Sequence, residues 1–361
     1  MKMPTDAIRE EIQNAGAISF ARFMELALYC PETGYYEKNR DNVGRHGDFI
    51  TSVSVGSLFG EMLAFQFAEW LEELRTADCE LRIIEAGAHD GKLAVDILSW
   101  LQTHRPKLFS EIEYFILEPS QTRQHWQREK LMGFSNVRWF SVFNDSKFKT
   151  QNSKLHGVLF GNELLDAFPV RQLGWDAKEK KWFQWGVTLA AEKFAWCILP
   201  NPQFTTLDPR LEAVLPDGYI VETSPAAENW WRAAAGVLER GKLLAIDYGF
   251  AVEEQFSPAR VNGTLRGYHR HQVGDDLLAY PGEQDLTAHV NFGAIEKAGL
   301  GAGLKTEEFC TQPQFLTRIL QKGLADKCFA KLDAKQIRQF QTLTHPEHLG
   351  CAFRVLVQAR P

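Results

Sequence analysis

A chain of 361 residues, 45% of them hydrophobic, can bury a substantial core as one large elaborated domain or two smaller ones. Its 40 basic and 46 acidic residues leave a formal charge of −6, and without a basic block that balance argues against non-specific nucleic-acid binding. The six cysteines are scattered with no C-x-x-C pair, so no zinc or redox motif is visible, and reduced thiols in the cytoplasm are expected.

Met1 to Gly16 is charged and polar and lacks the apolar core of a signal peptide. No window approaches the roughly 20 apolar residues of a spanning helix, so membrane insertion is not expected. Residues 1–76 read as a helical cap with one long loop. Ser19 is a good N-cap for a helix through Phe23, Leu26 and Leu28, which Pro31 ends. The stretch from Pro31 to Ser52 carries glycines and aromatics rather than a disordered composition, and reads as a binding loop. A second helix runs from about Ser54 to Leu74, with Leu58, Met62, Phe65 and Leu71 on its apolar face.

Residues 77–361 read as an α/β core with insertions at about 170–220 and 250–288. Strands are expected at 81–86, 114–118, 137–141 and 157–162, with helices near 92–103 and 121–132, as in a doubly wound sheet. Val170–Trp175, Trp182–Thr188 and Phe194–Leu199 suit antiparallel strands. The turn carrying Lys178, Lys180 and Lys181 reads as a solvated hairpin tip. A helix at 228–238, a buried strand Lys242–Asp247, a polar irregular stretch at 250–288, a helix near 291–299 and a last strand Ala352–Gln358 complete the chain.

Leu81–Ala86 runs into a turn bracketed by Gly87 and Gly91, then a helix, then a strand that ends on Glu118. Strand, glycine turn, helix, strand, acid is the layout of a nucleoside-binding βαβ unit. A dinucleotide site wants three glycines for its pyrophosphate, and here His89 stands at the middle position. A nicotinamide dehydrogenase therefore ranks last. The shorter loop, with Glu85 two residues before Gly87, looks like that of a class I methyltransferase, which holds the methionine part of S-adenosyl-L-methionine (SAM).

In open α/β sheets ligands bind beyond the carboxyl ends of the strands. Glu85, Glu118, Asn144 with Asp145, Asn162 to Asp166, and Asp247 should then share one rim, and Asp145 is counted with the cofactor-binding residues. Asn162, Glu163 and Asp166 are the active-site candidates. Two carboxylates and an amide oxygen can hold a cationic substrate, and a guanidinium fits paired carboxylates well. Capping of the next helix is the competing role for Asn162 and Asp166. His269 and His271 could share a strand face, but no third ligand stands at sensible spacing, so no metal is expected. G-x-S-x-G is absent, and Trp230 and Trp231 read as core or contact residues.

Several blocks occur in a fixed order: Ile18–Met24, Pro31–Tyr36, Gly47–Ser52 with Phe59–Glu61, Asn162–Pro169, Asp247–Gly249, Gly263–Arg266 and Pro281–Val290. With them the chain resembles, from about Ile18 to its C-terminus, the MidA-type family of SAM-dependent methyltransferases. That family includes mitochondrial members that assist assembly of respiratory complex I. The resemblance implies a class I, Rossmann-like fold, SAM as cofactor and methyl transfer to an arginine of a partner protein, with a respiratory-complex subunit as one candidate. It implies that Glu85, Gly87 and Gly91 hold the methionine end of SAM and Glu118 the ribose. Gly47 to Ser52 would close over the cofactor, which places Gly47, Asp48 and Thr51 among its contacts. Asn162, Glu163 and Asp166 would face the acceptor.

Two departures stand out. His89 replaces the middle glycine of the family loop, and Val53-Ser54 replaces its usual Pro-Glu. The first could weaken SAM binding, the second could change the lid or the substrate. Two other readings follow: a non-catalytic assembly module in which His89 blocks the cofactor, and a small-molecule methyltransferase.

Overall fold

Polar caps and apolar periodicity set the elements of this chain, whose computed structural model describes residues 2–38, 51–76, 80–143, 155–199, 212, 214–269, 272–274, 276–350 and 352–361. The first half contains α1 (Pro4–Ala15), β1 (Ile18–Ser19), α2 (Phe20–Tyr29), α3 (Tyr35–Lys38), α4 (Ser52–Val55), α5 (Leu58–Leu74), β2 (Leu81–Ala86), α6 (Lys92–His104), α7 (Pro106–Glu111), β3 (Ile112–Leu117), α8 (Gln121–Lys130), β4 (Val137–Phe140) and β5 (Leu155–Asn162). The second half contains β6 (Arg171–Asp176), β7 (Lys181–Ala190), β8 (Lys193–Leu199), β9 (Ile220–Thr223), α9 (Pro225–Val237), β10 (Leu238–Phe250), β11 (Arg266–His269), β12 (Gln272–Gly274), β13 (Asp285–Thr287), β14 (Val290–Asn291), α10 (Phe292–Gly301), β15 (Lys305–Thr311), α11 (Gln312–Ala325), α12 (Ala334–Thr344) and β16 (Phe353–Arg360).

These elements form two compact units, each discontinuous in sequence. One comprises Met1–Asn39, Asp166–Glu228 and Phe250–Gly293, the other Arg40–Leu165, Asn229–Gly249 and Ala294–Pro361. In the first unit, Ser19 caps α2 as expected, its hydroxyl oxygen accepting the Arg22 N–H at 3.2 Å. The buried residues Phe20, Phe23, Met24 and Leu28 then share a core with Val170, Val187 and Leu286. An antiparallel sheet runs β1-β7-β6-β9, with β8 on β7. Lys178 and Lys180 lie in the exposed turn between β6 and β7. The stretch expected to be irregular at 250–288 contains a small sheet, β12-β11-β13.

The second unit is built on a mixed sheet in the order β15-β16-β10-β5-β2-β3-β4. From β4 to β10 neighbouring strands are parallel, while β16 runs antiparallel to both β10 and β15. Every residue of β2 is buried, as a parallel strand covered on both faces requires. The helix expected in an N-terminal cap, α5, belongs to this unit. Leu58, Phe59, Met62, Leu63, Phe65 and Phe67 are all fully buried with Ile83, Ile97 and Phe160. A helix apolar on nearly all sides needs partners all round and does not stay on a surface.

Trp231 is a core residue here, its indole N–H bonded to Gln358 Oε1 at 2.8 Å. The C-terminal α11 and α12 carry capping boxes at Thr311/Gln314 and Asp333/Gln336. No helix among the described residues is long and apolar enough to cross a membrane.

Phe160, fully buried in β5 with its ring 4.9 Å from that of Phe67, is a side chain through which this sheet packs on α5. Phe160→Ala is expected to cost about 3–5 kcal/mol, read as a lower urea midpoint. A loss below about 1 kcal/mol would contradict this account of the core.

Candidate active site

The turn from β2 into α6 needs backbone that side chains resist. Gly87 and Gly91 adopt φ of 73° and 85°, and a Cβ on Gly87 would stand 2.8 Å from Leu164 Cδ1. His89 takes the same left-handed region, φ 45°, which histidine tolerates better than most residues. Its ring packs against Trp126 at 6.4 Å and lies beside Asp90, while its carbonyl accepts from Gln127.

Just before this turn, Glu85 is 2% exposed and accepts the Tyr114 O–H at 2.6 Å. Burial pushes its carboxyl up to about 8, the charges of Asp90 and Asp96 add to the rise, and the Tyr114 bond opposes it. At the tip of β3 the other expected cofactor acid, Glu118, is 1% exposed and well supplied with donors. Oε1 accepts the Ser120 N–H at 2.9 Å and pairs with Arg123 at 2.9 Å, and Oε2 accepts from Gln127 at 3.3 Å. A ribose at this carboxylate would compete with Arg123.

The end of β5 is the most constrained point. Glu163 is a non-glycine residue at φ 49°, a conformation that costs roughly 1–2 kcal/mol. The surroundings hold it there. Its N–H donates to the Ile246 carbonyl at 2.9 Å. The next two amides, of Leu164 and Leu165, donate to Asp247 Oδ2 at 3.0 and 2.7 Å, and Asp247 Oδ1 accepts the Tyr248 N–H at 2.8 Å. Asp247 is 1% exposed. The Glu163 carboxylate is fixed in turn: Oε1 accepts the Ser52 N–H at 3.0 Å and the Asn162 side-chain N–H at 3.2 Å. Asn162 Oδ1 is buried and makes no hydrogen bond among the described residues, so one acceptor is left for an incoming donor.

Thr51 caps α4 in a reciprocal box with Ser54, which uses its hydroxyl oxygen. Gly47, Asp48 and Asp145 lie outside the described residues. Asp166 belongs to the other unit. There its carbonyl accepts the Ala288 N–H at 3.0 Å and the next carbonyl, of Ala167, accepts from Tyr29 at 2.8 Å. Nearby, Tyr36 donates to the buried Asp285 at 2.8 Å. Burial, then the charge of Asp285 and, more weakly, that of Asp166 hold the Tyr36 hydroxyl well above its usual range. So the second unit gathers Glu85, Gly87, Gly91, Glu118, Thr51, Asn162 and Glu163, and the first takes Asp166.

Sequence reasoning missed Tyr114, placed Ser52 in the segment closing over the cofactor without its bond to Glu163, and counted Asp247 only as a rim residue. Tyr114 faces Glu85 because Ile83 pairs with Tyr114 across the parallel strands. That is a register fact with no local signal.

A model of the S-adenosyl-L-methionine-dependent methyltransferase family matches residues 62–310. The Mus musculus protein named protein arginine methyltransferase NDUFAF7, mitochondrial, is 28% identical, with 95% of this chain and 81% of that protein covered. The Homo sapiens protein of the same name is 26% identical, at 95% and 80% coverage. A crystal structure of a superfamily member from Burkholderia thailandensis, bound to S-adenosyl-homocysteine, matches with a TM-score of 0.84 and 33% identity, covering 99% of this chain and 92% of that one.

Two outcomes follow from the buried acids. The folded chain keeps a proton on Glu85 that the unfolded chain releases above about 4.5. The stabilisation is therefore complete below about 4.5 and is lost as pH rises through about 8. Glu85→Gln is expected to flatten that fall, measured by urea unfolding across the range; an unchanged slope assigns it elsewhere. Asp247→Ala strands three amides and is expected to cost about 2–4 kcal/mol, against a much smaller change for an exposed acid such as Glu179.

Proposed function

The chain belongs to the family of S-adenosyl-L-methionine-dependent methyltransferases, and on that premise we propose that it transfers the methyl group to an arginine side chain of a partner protein. SAM is its cofactor, and the residues present fit it. The turn keeps two glycines in left-handed backbone, where a side chain would be strained, and Glu85 presents a buried carboxylate that no described lysine, arginine or histidine pairs with. When bound, SAM supplies an electrophilic methyl on a sulfonium.

The observation that carries the arginine reading is the Glu163 carboxylate, held by Ser52 and Asn162 at the end of β5, next to the strand that feeds the glycine turn. An acceptor guanidinium needs three things from the protein. Its charge must be localised, its nitrogen aimed, and one proton taken as the N–C bond forms and the C–S bond breaks. A carboxylate locked by two N–H donors supplies a fixed charge-assisted acceptor for the first and third. The buried Asn162 Oδ1 offers a second acceptor that aims an N–H. Asp166, three residues along the chain, is the second proposed carboxylate. The relatives named as protein arginine methyltransferases support the same acceptor. A respiratory-complex subunit is the proposed class of partner, and the cytoplasm the proposed compartment, in keeping with the free Cys30, Cys197, Cys310 and Cys328.

The test is transfer of labelled methyl from SAM to protein in an extract of cells lacking this chain, followed by acid hydrolysis. Label is expected in methylarginine. Glu163→Gln and Asp166→Asn are each expected to lower turnover about 10²–10⁴-fold with S-adenosyl-homocysteine affinity within about threefold. Label in lysine or in small molecules, or loss of cofactor binding in either variant, would sink the proposal.

A further inference from the structure

Helices α5 and α6 turn mostly apolar side chains inward, whereas the residues that α8 buries are Gln124 and Gln127. A buried amide costs free energy unless its polar atoms are met. Gln127 is fully buried, and both ends of its amide are used. Its Oε1 accepts the Trp139 indole N–H from β4 at 3.0 Å. That bond fixes which way the amide faces and so aims its two N–H hydrogens. Nε2 donates to the His89 carbonyl in the glycine turn at 2.9 Å and to Glu118 Oε2 at 3.3 Å. The helix can come this close because Gly91 has no side chain. A Cβ there would stand 3.2 Å from Leu131 Cδ1 and 3.4 Å from Gln127 Cα. The same helix holds the residue that stands at the middle of the turn: Gln127 takes the His89 carbonyl, and the ring lies 6.4 Å from that of Trp126.

The two partners of the Gln127 amide belong to different parts of the nucleoside-binding unit. The turn after its first strand and the acid after its second hold separate portions of one ligand. The ladder between β2 and β3 ends at Ala86 and Leu117. Beyond it the segments part, and the Gly87 N–H reaches the Leu117 carbonyl only at 3.5 Å. Gln127 bonds both segments past that point.

We propose that Gln127 is a positioning residue for the cofactor, setting the span between the glycine turn and Glu118 so that a ligand reaching both meets them at one spacing. The inference rests on the SAM-dependent reading above and adds to it the residue that couples the two ends of the site. Each end has supports of its own. Gly87 and Gly91 shape the turn, and the Ser120 N–H and Arg123 hold Glu118 Oε1. Loss of the Gln127 amide therefore leaves both ends formed and their spacing loose. A ligand that reaches both must then restore the spacing out of its own binding free energy. A ligand that reaches the Glu118 end alone need not.

The experiment is calorimetric titration of the full chain and of Gln127→Met with two probes. S-adenosyl-homocysteine carries the adenosine and the amino-acid end, and 5′-methylthioadenosine carries the adenosine and thioether without that end. Gln127→Met keeps the length of the side chain and removes its amide. S-adenosyl-homocysteine is expected to bind the variant at least about tenfold more weakly. The affinity for 5′-methylthioadenosine is expected to stay within about threefold. The ratio of the two affinities therefore falls, a change that a general loss of stability does not produce. Equal weakening of both probes, or weakening of neither, overturns the role of Gln127 and leaves the cofactor standing. No binding of S-adenosyl-homocysteine to the unmodified protein overturns the cofactor as well. Should Gln127→Met fail to fold, Trp139→Phe decides. It keeps an aromatic ring and removes the indole N–H that orients the Gln127 amide, so the same ratio is expected to fall about threefold or more. An unchanged ratio refutes the proposal.

Discussion

The structure turns on one carboxylate that holds the chain as it leaves the mixed sheet. Asp247 accepts three backbone N–H groups, two of them from the residues just after Glu163. That clamp, with the Ile246 carbonyl on the Glu163 amide, keeps a glutamate in left-handed backbone that it would leave if it were free. Strain of this kind persists only where the surroundings over-determine it. It also sets direction. With the backbone fixed, the Glu163 side chain meets the Ser52 amide and the Asn162 side chain, and Leu164 lies over Gly87 and Gly161. Leu164 thus links the candidate catalytic carboxylate to the glycine turn, beside the β2–β5 ladder that already joins their strands.

Buried acids do different work in this chain according to the donors around them. Asp247 has three amides. Glu222 in the first unit has the amides of Thr264 and Leu265 together with the Thr264 hydroxyl. Glu118 has an amide, a glutamine and an arginine. Each has its oxygens met by several donors, and each organises a loop. Glu85 has one hydroxyl. The same chemical group is a structural clamp in three places and a buried acid with a single neutral donor in the fourth, and the difference is the count and charge of its partners.

The first unit assembles blocks that lie far apart in sequence around the start of its second segment. Tyr29 holds the Ala167 carbonyl, Ala288 the Asp166 carbonyl and Ser224 the Pro169 carbonyl. Glu222 grips Thr264, whose hydroxyl accepts the His289 N–H, and Tyr36 bonds Asp285. The Pro31–Tyr36, Gly263–Arg266 and Pro281–Val290 blocks therefore share a structural task. Pro281–Val290 bonds the backbone after Glu163 directly through Ala288, and Tyr36 and Thr264 bond that block in turn.

The sequence by itself determined what depends on neighbours along the chain. The Ser19 cap, the apolar strands β2, β3 and β5, the glycine turn and the helix after it were all legible, because propensity, periodicity and φ demands are local. The capping boxes at Thr311 and Asp333 were equally local and could have been read from spacing. Only the tertiary structure decided what depends on register and on strands that approach from afar. The Glu85–Tyr114 bond spans 29 positions, the Leu164–Asp247 bond 83 and the Ser52–Glu163 bond 111. It also decided that α5 belongs with the sheet rather than with the N-terminal helices, since burial on nearly all sides is a demand that several partners must meet together. Which acid keeps its proton was likewise invisible in the residues, because burial and donor count exist only once the chain has folded around them.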